Sequence, residues 1–324
     1  MEHIQVGLDA LREFERGLDP RHPERSLVPA RVLGYGEIST VFAIDVDGLR
    51  DLAFKRLPIF HTPDEMAAYG IVYEEYNRLL REEVGLHLPA HGRASFCTDT
   101  GRPVLYIIQR QLAPTSIGHH AIRLLTRDGT LALVERVLHE LYQVWACNRR
   151  QNRLQVALDG QISNWSIECF DPRAPQVSAD TILQYVDTST PLFRVQGVEQ
   201  LNPELFLRSA PSFLAWALRM LFLKDVVNRY YDFRRVVIDL VANFYQEQRP
   251  DLVPAVIAAA NGVFAREAGD WHVQPISEPE VRSYYREDAF IWRFYLAARK
   301  VDRFLRTRLL GREYPYILPG KIQR

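Results

Sequence analysis

The stretch Arg31-Val-Leu-Gly34-Tyr-Gly36-Glu-Ile-Ser-Thr-Val-Phe-Ala-Ile-Asp45-Val-Asp-Gly48-Leu-Arg-Asp-Leu52-Ala-Phe-Lys55-Arg-Leu-Pro58 decides how the chain begins to fold. β-Branched and aromatic residues fill it, and two clusters interrupt them, the glycine pair and Asp45-Val-Asp-Gly48. Breaks of this kind between apolar runs mark hairpin turns, so the spacing predicts three strands near 31–35, 39–46 and 51–57. Thr62-Pro63-Asp64-Glu65 then supplies an N-cap, a proline at the first helical position and two acids for the positive end of the dipole, predicting a helix to about Glu82. The runs His91–Cys97 and Val104–Arg110 add two strands and complete a five-stranded sheet with one helix.

Beyond Pro114 helical periodicities take over, at roughly 117–126, 129–150, 203–223, 224–247, 251–267 and 285–310. Only Leu154 to Asp187 interrupts them, with short β-like runs at 154–158, 163–169 and 181–186. The expected fold is therefore α+β and bilobal: a small antiparallel N-lobe over 30–112 and a larger, mostly helical C-lobe over 113–324. A chain of 324 residues suits two lobes better than one core. Residues 1–29 interleave acids with apolar side chains and read as an amphipathic helical extension, not as a signal peptide. The most apolar run, Phe213–Leu223, is about half of a bilayer-spanning length and carries Arg219, so it reads as a buried helix and no transmembrane segment is expected.

The composition, 47% hydrophobic and 25% charged, supports a packed core. Lys plus Arg equals Asp plus Glu at 40 each, so no global field draws the chain to nucleic acid. Cys97, Cys147 and Cys169 lack CxxC spacing, which suits a reducing, cytoplasmic setting. His119-His120, His139 and His272 lack metal-ligand spacing. Asn228-Arg-Tyr-Tyr-Asp-Phe-Arg-Arg235 reads as core aromatics and solvated arginines on a long helix, or as a contact for an anionic or aromatic substrate. Trp292–Leu310 sets Arg293, Arg299, Lys300, Arg303, Arg306 and Arg308 around an apolar stripe of Phe294, Ala297, Val301 and Phe304. That is the solvated face of a packed helix, or a membrane or partner surface.

Four features could carry chemistry. Gly34 and Gly36 sit at a strand turn, where glycine lets backbone amides approach phosphate, although glycine pairs also mark ordinary hairpins. Lys55 lies among alternating apolar positions; buried it needs an anion, for which Glu75 in the following helix is the candidate, and at an edge it would simply be solvated. Val156-Ala-Leu-Asp159-Gly-Gln-Ile-Ser-Asn164-Trp-Ser-Ile167 holds an acid and an amide in a loop between short strands. The acid could deprotonate a hydroxyl and the amide oxygen ligate magnesium, although Asp-Gly also opens common turns. Asp187 ends the strand from Thr181, a position suited to a metal ligand or to plain solvation.

The order of these features, glycine turn, strand lysine, helix glutamate, Asp159-x4-Asn164 and strand-terminal Asp187, resembles the protein-kinase-like superfamily over residues 30–190. Its nearest branch by pattern is that of the aminoglycoside phosphotransferases and choline kinases. The resemblance implies ATP and Mg2+ as cofactors. Gly34 and Gly36 would cover the phosphates, Lys55 would contact them with Glu75 holding it, and Gln109 to Gln111 would form the hinge near adenine. Asp159 would be the catalytic base, with Asn164 and Asp187 holding magnesium.

The chain departs from the superfamily at named positions. Ala157 stands where His is usual, Leu158 where protein kinases place Arg, and Gln161 where they place the loop Lys. Asp187 is followed by Thr188-Ser189 instead of Phe-Gly, and no Ala-Pro-Glu segment follows. These departures point away from a regulated protein kinase and toward transfer to a hydroxyl of a small-molecule acceptor. They also motivate an alternative of another class, a catalytically impaired kinase-like protein that binds nucleotide or serves as a scaffold.

Overall fold

Alternation along Leu52-Ala-Phe-Lys-Arg-Leu sets the plan of the N-terminal sheet. The structure is a computed structural model that describes residues 4–20, 22–36, 38–211, 227–311 and 314–319. Strands β1 (Ala30–Tyr35), β2 (Thr40–Ile44), β3 (Leu52–Leu57), β4 (His91–Cys97) and β5 (Pro103–Arg110) form one antiparallel sheet in the order β1-β2-β3-β5-β4. Successive side chains of β3 leave opposite faces. Phe54 points to the face covered by helix α1 (Leu8–Gly17), where it shares a core with Leu11, Phe14, Phe42 and Tyr106. Leu57 points to the face covered by α2 (Pro63–Arg78), where it joins Met66, Tyr69, Tyr73, Leu105 and Ile107.

The two cations of β3 therefore meet different surroundings. Arg56 is 2% exposed on the α1 side, where its guanidinium donates twice to Glu15, at 2.6 and 2.7 Å, and once to the Pro315 carbonyl at 2.8 Å. Burial alone would raise the Glu15 carboxyl, but the Arg56 charge and hydrogen bonds outweigh it and hold it below the ordinary range. This pair ties both chain ends to the sheet. Lys55 leaves by the α2 side and faces the second lobe.

Helix α2 opens with the expected cap: Thr62 accepts from the Glu65 amide and the Glu65 side chain accepts in return from the Thr62 amide. It widens into a final turn over Leu79–Val84. The second lobe is built from α3 (Arg127–Arg150), α4 (Phe233–Gln246), α5 (Val253–Arg266) and α6 (Glu278–Phe304). Leu138, Leu141, Val237, Val241, Val256 and Phe264 belong to its single large core. Two small β-layers add Val156, Trp165, Tyr185 and Phe193 to that core: β6 (Leu154–Val156) with β9 (Phe193–Val195) and β10 (Val198–Glu199), and the pair β7 (Trp165–Ile167) and β8 (Leu183–Tyr185). The architecture is the α+β plan expected from the sequence, a small five-stranded antiparallel sheet with one helix followed by a larger, mostly helical part.

Several elements differ from expectation. The predicted helix at 117–126 is a single turn, Gly118–Ala121. The residues 212–226, including the apolar run Phe213–Leu223 and most of the helix expected at 203–223, lie outside the described residues. Helix α4 begins at Phe233 because the Asp232 side chain accepts from the Arg235 amide as an N-cap. The cluster Asn228–Arg235 consequently bends through a turn and does not ride on one long helix. The β9–β10 hairpin was not foreseen, since runs of two or three residues carry no readable alternation. Among the described residues no helix is long and apolar enough to cross a membrane.

Candidate functional site

Three segments converge where the sheet meets the helical lobe. Register places Gly34 opposite Val41, Val41 opposite Lys55, and Lys55 opposite Ile107, so the glycine turn and the lysine share one row across the sheet. Lys55 Nζ donates to Asp187 Oδ1 at 2.7 Å, with side-chain exposures of 20% and 31%. The same oxygen accepts from the Ser189 hydroxyl at 2.7 Å and the Ser189 amide at 3.3 Å. Burial opposes ionisation of Asp187, but Lys55 and then Ser189 outweigh it and lower its pKa below the usual value. Asp187 is a fixed anion whose Oδ2 has no hydrogen bond among the described residues.

Strands β7 and β8 bring Asn164 to this carboxylate. Trp165 lies opposite Tyr185, and the ladder extends one step as the Val186 amide donates to the Asn164 carbonyl at 2.9 Å. Asn164 and Asp187 thus leave the pair at the same end. The Asn164 side-chain amide donates to the Asp159 carbonyl at 3.2 Å, which closes the loop and leaves its own oxygen for another ligand. The Asp159 carboxylate accepts from the Gln161 amide at 3.1 Å.

Asp159 is electrostatically unlike Asp187. Burial, the Asp239 carboxylate and, more weakly, Asp187 push its carboxyl up, to about 7, against the pull of the Gln161 amide and Arg229. Asp239 sits on α4, 6% exposed, with its own carboxyl raised by burial, and accepts from the Gln161 side chain at 3.2 Å. One turn on, Asn243 Oδ1 accepts from the Ile162 amide at 3.1 Å. The loop approaches its supports closely at two points: a Cβ at Gly160 would lie 2.7 Å from Val236 Cγ1, and one at Gly118 would lie 2.2 Å from the Ile162 carbonyl oxygen.

Glu75, expected to hold Lys55, does not do so. It faces outward and pairs with Arg78 at 2.8 Å, while Glu74 pairs with Arg93 at 3.2 Å. The inward stripe of α2 is Met66, Tyr69, Tyr73 and Tyr76, spaced three and four residues apart, and it rotates both acids away from the cleft. Two of these tyrosines clamp the site. Tyr76 donates to the Ala157 carbonyl and Tyr69 to the Ser189 carbonyl, each at 2.7 Å, and burial raises both phenols so that they remain donors.

The other sequence candidates fall around this centre. The Gln109 side chain donates to the Val186 carbonyl at 3.0 Å, joining β5 to the strand end before Asp187. Gln111 extends the β3–β5 ladder through its amide, 2.7 Å from the Asp51 carbonyl, and its side chain contacts neither Lys55 nor Asp187 among the described residues. The Gly36 amide closes the hairpin onto the Ser39 carbonyl at 3.0 Å, and Gly34 marks a register shift in β1. Reasoning from sequence missed Asp239, Asn243, Tyr69 and Tyr76. Polar residues at core spacing within Val236-Val-Ile-Asp-Leu-Val-Ala-Asn243 were the available signal for the first two.

No curated protein matches the chain. Among solved structures, WaaP in complex with acyl carrier protein is similar at 14% identity, over 81% of this chain and 88% of that one, with a TM-score of 0.36. The model of a family of unknown function, DUF6206, matches residues 28–303, and the chain belongs to that family.

Proposed function

We propose that the chain is an ATP- and magnesium-dependent phosphotransferase acting on a hydroxyl group of a small-molecule acceptor. The observation that carries this reading is the 2.7 Å contact between Lys55 of the sheet and Asp187 of the helical lobe, in register with the glycine turn. In it Lys55 receives phosphate oxygens, Gly34 and Gly36 lie over them, and the β5 end near Gln109 and Gln111 faces adenine. The free Asp187 Oδ2 and the Asn164 amide oxygen are hard donors that fit magnesium. When bound, that ion would neutralise charge on the transferred phosphoryl group.

Asp159 supplies the proton acceptor. As the acceptor oxygen bonds to the γ-phosphorus and the bridging oxygen bond to ADP breaks, the hydroxyl proton passes to the Asp159 carboxylate. A carboxyl raised to about 7 is matched to that task near neutral pH. The test is incubation with γ-labelled ATP, magnesium and a panel of polyhydroxylated small molecules. Labelled product formed by the wild type and lost in Asp159→Asn is the expected result; label that transfers equally well in the variant contradicts the role of Asp159.

One observation favours a second reading, a kinase-like protein that binds nucleotide without transferring phosphate. The face of α2 toward Lys55 carries tyrosines and no acid, so the lysine is held by Asp187 and not by the expected Glu75. That reading expects nucleotide binding with no labelled product for any acceptor.

A further inference from the structure

The outer face of α6 stands apart from the cleft. Phe290, Phe294, Val301 and Phe304 are 70, 54, 50 and 58% exposed, and with Ala297 they recur at steps of three and four residues, which places them in one stripe. The opposite side of the helix, with Ala298, Arg299 and Asp302 at 8, 3 and 4% exposure, packs into the protein. The stripe therefore has its back to the core, and it continues into Leu309 and Leu310, 68 and 60% exposed. Isolated exposed apolar residues are ordinary; a continuous aromatic and aliphatic ridge of about five turns marks a contact surface.

Charge along the ridge identifies the contact. From Phe290 to Leu310 the exposed positions include Arg293, Lys300 and Arg308, none in an ion pair among the described residues. No exposed carboxylate accompanies them: the only acid of this stretch, Asp302, is buried and bound to Arg306 at 3.0 Å. From Phe290 onward the exposed charges are cationic, with exposed Arg286 and Glu287 offsetting one another a turn before it, and an apolar ridge edged in this way complements a surface that is apolar inside and anionic at its rim. We infer that α6 docks on an anionic lipid bilayer, lying in the plane of the interface with Phe290, Phe294, Val301 and Phe304 inserted among acyl chains and Arg293, Lys300 and Arg308 at the headgroups. The helix lies on the membrane and does not enter as a span.

This inference does not depend on the chemistry of the cleft. The test is sedimentation of the full chain with phosphatidylcholine vesicles, with and without phosphatidylserine. Binding is expected only to the phosphatidylserine vesicles and weakens with added salt. It falls at least about tenfold in Phe290→Asp/Phe294→Asp and, separately, in Arg293→Glu/Lys300→Glu. All four side chains are exposed, so both variants keep the wild-type circular dichroism and melting temperature. Absence of vesicle binding, or binding indifferent to these substitutions, overturns the inference. So does a dimer in light scattering that Phe290→Asp/Phe294→Asp dissolves, which would assign the ridge to a second copy of the chain. Binding to an acidic protein in place of the vesicles would overturn it equally.

Discussion

Two carboxylates within one cleft have been given opposite electrostatics. At the end of β8, Asp187 is surrounded by donors: an ammonium, a hydroxyl and an amide all converge on one oxygen. In the loop before β7, Asp159 has one amide donor, with a second buried acid, Asp239, behind it. Burial pushes both carboxyls up, so it does not distinguish them; the sign of the nearest charge does. The strand end is therefore built to hold a permanent negative charge, and the loop to gain and lose a proton near neutrality.

The largest break in this comparison comes from deforming the loop without touching a charge. Gly118→Ala would place a methyl group 2.2 Å from the Ile162 carbonyl and push the loop off its support. It should cost about 3 kcal/mol in urea unfolding, as overpacking at backbone does. A neutral outcome would show that the loop has slack the close approach does not suggest.

Removing the cation from the strand end is the next step. Lys55→Met leaves Asp187 without its main partner and should cost about 2 kcal/mol, less than the roughly 3–5 of a fully buried pair because both side chains keep some exposure. The pH dependence follows from the lowered pKa of Asp187. Its contribution is present above the unfolded-state value and is lost as pH falls through the folded-state value, so the wild-type advantage should shrink in acid. A loss independent of pH would assign the effect to packing of the lysine stem.

The loop should respond with the reverse sign. A carboxyl raised in the folded state makes the fold bind more protons than the unfolded chain between the two pKa values, so ionised Asp159 destabilises increasingly as pH rises toward about 7. Asp159→Asn should therefore stabilise the protein by about 1 kcal/mol or more near pH 8, by roughly a third of that near pH 5, and by nothing once the pH falls below the unfolded-state value of 3.8, read from melting curves at each pH. Asp239→Asn, by removing the like charge, should move the Asp159 titration to lower pH. An Asp159→Asn variant less stable than wild type at both pH values would place the carboxylate in a favourable pairing instead.

The strands were legible because each break carries its own chemistry. Alternating apolar residues, the glycine pair and Asp45-Val-Asp-Gly48 locate β1 to β3 within a residue or two of their ends. Lys55 stood out as a cation inside an alternating strand, and Asn164 and Asp187 as polar residues at a turn and a strand end, and the structure brings Lys55 and Asp187 into contact. The facing of α2 was not. Glu74, Glu75, Tyr73 and Tyr76 are adjacent in sequence, and tyrosine serves equally as core and as surface, so the rotation that turns Glu75 toward Arg78 emerges only once the sheet is in place. Asp239 was hidden for a related reason: its helix is apolar enough to read as plain core, and its partner Gln161 is distant in sequence.

The central claim is that Lys55 and Asp187 frame a magnesium-nucleotide site. It is tested most directly by the melting temperature of the wild type and of Asp187→Asn with ATP, with and without magnesium. The account predicts a rise of about 2–4 °C for the wild type that requires both ATP and magnesium and vanishes in Asp187→Asn. No rise in the wild type, or an equal rise in the variant, would contradict it.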